Sequence, residues 1–400
     1  MTNDTRDSNP RKGRSFLLLT GQMVLVIFLA IFVLAAAMIY GPSLLLSFER
    51  LPLVMQIGVL CIGLAIAFDF VNGFHDTANA VATVIYSGAL PAWLAILMSA
   101  VLNYAGAMTV GTSVAEFIAS TIPRDVVSGP MILATLLAGL TWNLLTWWKG
   151  LPVSSTHCLL GSLAGAGFAV AGLNGFSHPA VLKALAALIV SPIIGFVLAF
   201  IFAKCMDFLV RHLSGKTTSN GVEIARQSKV WRLIFKGLQI ATSASVSFSH
   251  GANDGQKTMG LITLILGTIF VSYGYSVGIV PDWVKISAAL AIGLGTAIGG
   301  GRVIRTVGEK LSARAIDPVQ GCAAEFTTAM TVLYASKLGV PASTTHVLTS
   351  SVVGSSISLH GKQFANWSTL KKVGLAWLVT LPFTALLAGG FYFLLSSVLT

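Results

Sequence analysis

The sequence predicts a polytopic, all-α membrane protein made of two inverted-topology repeats of about five helical segments each, plus one extra N-terminal helix. Three observations lead there. Only 10% of the 400 residues are charged while 55% are hydrophobic, whereas soluble domains carry about 25% charged residues. Stretches of about 18 or more mostly apolar residues recur along the whole chain, each long enough to span a bilayer as a helix. The order of these stretches repeats. With a mean hydropathy of +0.83, an ordinary soluble globular protein is excluded. The formal net charge of +11 does not argue for a nucleic-acid partner, because the basic residues sit in short loops where orientation in the bilayer explains them.

The first apolar segment, 16–40, follows a polar, basic N-terminus. It is longer than the roughly 7–15 residues of a signal-peptide core and reads as a retained helix. Further segments follow at 53–89, 91–112, 126–147, 151–173 and 180–206, then at 237–272, 284–301, 319–338, 341–360 and 371–398. Each of these two series opens on a long segment interrupted by a polar knot and carries a Pro-x-Ser-x-Thr-His motif in its fourth segment, which marks an internal repeat. The expected organisation is a cytoplasmic N-terminus and extra helix over 1–52, a first repeat over 53–206, a basic cytoplasmic linker over 207–236 and a second repeat over 237–400. The four cysteines, Cys61, Cys158, Cys205 and Cys322, stand singly without metal-ligand spacing and read as small core residues.

Orientation follows from the basic residues. With a cytoplasmic N-terminus and one crossing per segment, the cytoplasmic side receives Arg6, Arg11, Lys12, Arg14, Lys149, the clusters within 204–236 and 302–314, and Lys362, Lys371 and Lys372. The outer side receives only Arg50, Arg124, Lys183, Lys285 and Lys337, as the positive-inside rule requires. An odd number of crossings per series makes the second repeat enter from the opposite side, the architecture of transporters and some channels.

Against this apolar background the polar knots stand out. The first runs Asp69-Phe70-Val71-Asn72-Gly73-Phe74-His75-Asp76-Thr77-Ala78-Asn79. The second runs Ser247-Phe248-Ser249-His250-Gly251-Ala252-Asn253-Asp254-Gly255-Gln256-Lys257. Positions 69, 72, 76 and 79, and likewise 247, 250, 254 and 257, fall on one helical face. Intramembrane carboxylates are functional candidates by default, and Asp76 and Asp254 occupy matching places. Taken singly, Asn72, Ser247 and His250 fit cross-helix packing equally well. Gly73 and Gly251 are expected to let the helix open and expose carbonyl oxygens that, with Asp and Asn, can coordinate a small cation.

The motifs Pro152-Val153-Ser154-Ser155-Thr156-His157 and Pro341-Ala342-Ser343-Thr344-Thr345-His346 both read as capped helix starts. Such ends offer unpaired amides, hydroxyls and the positive end of the helix dipole, so a pair of them can hold an oxyanion at mid-membrane. Glu325, in an apolar helix, is a candidate proton relay or the partner of a neighbouring base. His157 and His346 are candidate relays or satisfied core histidines. Glu116, near an outer end, reads as solvated.

The paired knots and the paired Pro-x-Ser-x-Thr-His motifs resemble the signature of the inorganic phosphate transporter (PiT) family, over roughly residues 53–398. In detail the sequence is similar to the bacterial low-affinity branch. The resemblance implies a secondary transporter that imports inorganic phosphate by alternating access, often as a neutral complex with a divalent metal such as magnesium, together with protons. It implies no permanently bound cofactor, a multi-pass location in the cell membrane in contact with lipid, and a homodimer. Asp76, Asn79, Asn253 and Asp254 would belong to the substrate and coupling-ion region, and Ser154, Ser155, Thr156, Ser343, Thr344 and Thr345 would contact phosphate. Many members carry Asp-x-x-Asn in both repeats, whereas the second repeat here reads Asp254-x-x-Lys257. A Lys ammonium would stand where an Asn oxygen ligates sodium, which favours protons over a two-sodium mechanism.

Sulfate, a similar tetrahedral oxyanion, and sodium-coupled phosphate transport are the nearest alternatives. An intramembrane serine hydrolase would also need Ser, His and Asp, but a triad uses one nucleophile whereas the Ser-x-Thr-His unit occurs twice in symmetric positions. A channel would differ in showing neither saturation nor counterflow.

Overall fold

The computed structural model describes residues 48–49, 51–215, 221–276, 279–312 and 315–399. The helix expected at 16–40 lies outside them. Among the described residues there is no strand, only an isolated bridge between Ser312 and Ala365. The first half runs α1 (Leu53–Tyr86), α2 (Ala92–Thr109), the short α3 (Ser113–Ala119), α4 (Gly129–Lys149), α5 (Ser155–Ala171) and α6 (His178–Leu213). After α7 (Gly221–Gln227), the second half runs α8 (Lys229–Ile269), α9 (Asp282–Ile298), α10 (Gly301–Arg305), α11 (Pro318–Lys337), α12 (Thr344–His360) and α13 (Trp367–Leu399).

The boundaries have local causes. Pro52 and Pro91 stand immediately before α1 and α2, where a fixed φ helps and no N–H is needed. The segment expected at 91–112 stops at Thr109, and the chain bends into α3. The segment expected at 284–301 stops at Ile298 and turns by 59° into α10 and a π turn over Thr306–Lys310. Helix α6 runs on to Leu213 and α8 begins at Lys229, so helical residues fill both ends of the stretch expected as linker. Cys61, Cys158 and Cys322 are buried, whereas Cys205 is exposed.

The two halves share their order of parts. Both α5 and α12 are 17 residues long, about 26 Å at 1.5 Å per residue. The hydroxyls of Ser154 and Ser343 cap them, accepting the His157 and His346 amides at 3.2 Å each. Each is followed by a long helix with an internal proline, Pro192 in α6 and Pro382 in α13. The halves are interlocked rather than side by side. Helix α5 packs along α13 and α12 along α6, while α2 packs on α8 and α9 on α1.

Six of the described helices are long and apolar enough to cross a membrane, or seven if the bent pair counts as one span. Helix α8 is not among them despite its 41 residues, because its middle is the polar knot. On α1 the knot separates two apolar clusters, one holding Ile57 to Phe68 and the other Ala78 to Val84. On α8 it lies between Val246 of the second cluster and Met259 of the first. The polar knots therefore sit at mid-helix between two apolar clusters.

One expectation is corrected here. Helices α1 and α8 run unbroken through Gly73 and Gly251, so neither glycine opens its helix. They permit close crossings instead. A Cβ on Gly73 would lie 2.2 Å from the Ile292 carbonyl oxygen of α9, and one on Gly251 would lie 2.0 Å from the Asn103 carbonyl oxygen of α2. Both contacts are to backbone, which cannot swing aside, so each crossing requires glycine.

Candidate functional site

Asp76 on α1 and Asp254 on α8 meet at the N-terminus of α5. The Ser155 hydroxyl lies 3.1 Å from Asp254 Oδ2 and 3.5 Å from Asp76 Oδ2. Lys257 Nζ pairs with Asp254 Oδ2 at 2.7 Å and donates to Ser155 Oγ at 3.4 Å. Asn72 Nδ2 donates to the same Asp254 oxygen at 3.2 Å. All of these side chains are almost completely buried; Lys257 is 1% exposed. A buried carboxylate without such partners would cost several kcal/mol, so the cluster is mutually dependent.

Two histidines complete it. His75 Nδ1 lies 2.7 Å from Asp76 Oδ1 and donates to it, while Nε2 faces the Thr146 hydroxyl at 3.3 Å. His250 Nδ1 lies 2.7 Å from Asn103 Oδ1. Asn103 is oriented by its own amide, which donates to Ser99 and Thr296 hydroxyls at 3.3 and 3.1 Å. Its Oδ1 therefore accepts, His250 Nδ1 carries a proton, and His250 Nε2 turns toward Asp254 Oδ2 at 3.5 Å and Asp76 Oδ2 at 3.7 Å. Ligand atoms of Asp76, His250 and Asp254 all lie within 4.8 Å of one another. Between two carboxylates, Nε2 can hold a second proton or offer its lone pair to a cation. Fixing the far ring nitrogen with an amide is how metal-binding histidines are oriented.

Helices α5 and α12 meet at their positive ends. Thr156 Oγ1 donates to the Ala342 carbonyl at 3.1 Å, and the His157 and His346 rings lie 4.4 Å apart, the latter stacked on Trp377 at 3.8 Å. With Ser154 and Ser343 capping the third amide of each helix, the amides of Ser155, Thr156, Thr344 and Thr345 have no intrahelical acceptor. Each knot also reaches across to the other half. Asn79 Nδ2 donates to Thr345 Oγ1 at 2.9 Å, and Lys257 reaches Ser155. Four amides without an intrahelical acceptor, two dipole ends and the ammonium that Lys257 brings to Ser155 can together hold an oxyanion.

Not every expected residue joins the cluster. Asn253 points away, donating to Ser336 Oγ at 2.9 Å and to the Val340 carbonyl at 3.4 Å, in the approach to α12. Glu325 forms a separate buried group, accepting the hydroxyls of Thr83 and, at 2.6 Å, Thr242. Sequence reading did not single out His75, Asn103 or Thr146. Asn103 carried a signal, as a lone amide in an otherwise apolar segment; Thr146 carried none.

A profile of the phosphate transporter family matches residues 72–388. The chain belongs to that family. This phosphate transporter is 41% identical over 347 residues to a probable low-affinity inorganic phosphate transporter of Bacillus subtilis, covering 85% of this chain and 97% of the relative. It is 30% identical over 487 residues to the low-affinity inorganic phosphate transporter PitA of Escherichia coli, covering 84% and 96%. Among solved structures, a sodium-dependent phosphate transporter superposes with a TM-score of 0.73 at 26% identity, covering 86% of this chain and all of that one. The protein is thus a multi-pass membrane transporter of inorganic phosphate and not an enzyme, and the hydrolase reading falls away.

Proposed function

We propose that this phosphate transporter imports its substrate by alternating access in symport with protons, its N-terminus in the cytoplasm, and that phosphate travels with a divalent cation. The observation that carries proton coupling is Lys257, whose ammonium stands 2.7 Å from Asp254 Oδ2, a place where a coupling cation would otherwise balance that carboxylate. A tethered ammonium supplies the charge without leaving with the substrate.

The role of each residue follows from its place. The amides and hydroxyls at the starts of α5 and α12 would bind the phosphate oxygens. Ser155 touches both carboxylates, so it would couple the anion's arrival to the charge state of Asp76 and Asp254. The pair of carboxylates with His250 Nε2 is a donor set for the transported divalent ion. Oxygen ligands suit magnesium, and an added imidazole nitrogen admits manganese or zinc. Neutralising phosphate with a metal or protons lowers the cost of carrying it through a site shut off from water.

Sodium coupling is the second reading, supported by the likeness to the solved sodium-dependent phosphate transporter. Phosphate uptake into proteoliposomes separates the two, with proton and sodium gradients imposed one at a time, with and without magnesium. The expected result is uptake driven by the proton gradient, and a Lys257→Asn variant with altered ion dependence. Uptake that follows sodium alone, or a Lys257→Asn variant with unchanged ion dependence, would overturn the proposal.

A further inference from the structure

The polar residues do not stop at the central cluster. On α1, Asp76 is followed at helical spacing by Asn79, Thr83 and Ser87. On α8 the sequence back from His250 brings Ser243, Thr242 and Gln239, then Lys236 and Arg232. These two stripes face each other through hydrogen bonds. Ser243 donates to the Ala80 carbonyl at 2.7 Å, Thr83 and Thr242 both donate to Glu325, and Ser87 donates to Gln239 Oε1 at 2.6 Å. Thr83, Thr242, Ser243, Gln239 and Glu325 are all buried. In the opposite direction along α8, around the buried hydroxyls of Thr258 and Thr263, the residues Leu261, Ile262, Leu264 and Ile265 belong to the apolar core. A buried polar seam thus leads from the site toward the Lys236 end of α8.

The seam ends at a cavity of about 340 Å³ lined by Ser87, Arg232, Phe235, Lys236, Ala315 and Asp317 among others. Arg232 and Lys236 lie one turn apart on α8, where like charges repel, and among the described residues neither is paired with a carboxylate. Asp317 offsets only one of these two charges. Its carboxylate is occupied by the Val319 and Gln320 amides at 3.0 Å each and by His360 at 3.2 Å. The cavity therefore carries a net positive field beside the positive end of α11, and low-dielectric walls concentrate that field on an anion.

We infer that this cavity is a second phosphate-holding station, a vestibule at the cytoplasmic end of the transport path, with the Thr83–Glu325–Thr242 and Ser87–Gln239 contacts forming the closed seam between it and the central site. Phosphate crossing inward pauses there before release, and cytoplasmic phosphate enters there during exchange. Its cytoplasmic placement rests on the orientation proposed above.

The test is the double variant Arg232→Gln/Lys236→Gln, with half-saturation by inorganic phosphate measured from each face separately, in right-side-out and inside-out vesicles of zwitterionic lipid. The expected result is a roughly 5- to 10-fold rise from the cytoplasmic face alone, smaller at high salt and reversed by the charge-preserving pair Arg232→Lys/Lys236→Arg. A rise confined to the outer face would support the vestibule and reverse the orientation instead. No change from either face, an equal change from both, or a change that requires anionic lipid would overturn the inference.

Discussion

Lys257 and Asp254, one helical turn apart on α8, form an ion pair of 2.7 Å in which both side chains are 1% exposed. Breaking such a pair strands a charge, whereas removing both members need not. Asp254→Asn is expected to lower stability by about 3–5 kcal/mol, with Asp254→Asn/Lys257→Met recovering much of that loss while phosphate uptake stays absent. Thermal unfolding of the detergent-purified variants, beside uptake in proteoliposomes, checks both halves. A double variant no more stable than Asp254→Asn would show that the pair is not the main partner of either group.

Gly251→Ala should be far more disruptive than its size suggests. The added methyl would meet the Asn103 backbone oxygen at 2.0 Å, while a Cβ on Gly63 meets nothing within 4 Å. Overpacking of this kind costs about 1–3 kcal/mol or more, so Gly251→Ala should melt early or fail to insert, with Gly63→Ala indistinguishable from the parent chain.

Asn103→Leu keeps the packing volume near α8 but removes the acceptor of His250 Nδ1. If His250 Nε2 serves the transported cation, uptake should fall by about 10- to 100-fold, the usual effect of losing such an orienting partner, with stimulation by magnesium or manganese reduced more than the zero-metal rate. Equal losses at every metal concentration would assign Asn103 to packing alone.

Thr344→Val separates binding from folding. Among the described residues the Thr344 hydroxyl is buried without a hydrogen-bond partner, so replacing it with an isosteric methyl should leave stability unchanged or slightly raised. Half-saturation by phosphate should rise nonetheless. Ser343→Ala is the contrasting case, because that hydroxyl caps α12, and its loss should cost about 1 kcal/mol in unfolding measurements.

Much of the site was legible because its signals are local. A charged side chain in an apolar run needs no partner in view to be conspicuous, and a proline, a hydroxyl and a helix-forming run mark a helix start wherever they occur. Asp76, Asp254, Ser155 and Lys257 were all recoverable that way. The partners were not. Asn72 bonds across 182 residues to Asp254, and Asn79 across 266 to Thr345, and no periodicity in either helix encodes where the other helix will lie. Asn253 shows the reverse error. It lies beside Asp254 in sequence, yet its side chain leaves the helix in another direction and serves Ser336.

The sequence by itself determined that this is a helical membrane protein, where its polar residues sit, and which segments begin as capped helices, because hydropathy and capping act within a few turns of chain. Only the tertiary structure decided how the halves interlock, and with that what each polar group touches. Gly73 and Gly251 make the point. Local propensity reads them as places for a helix to open, but a Cβ on either would lie within 2.2 Å of a backbone oxygen of α9 or α2. The close crossing thus leaves both helices whole and brings the two carboxylates to one serine.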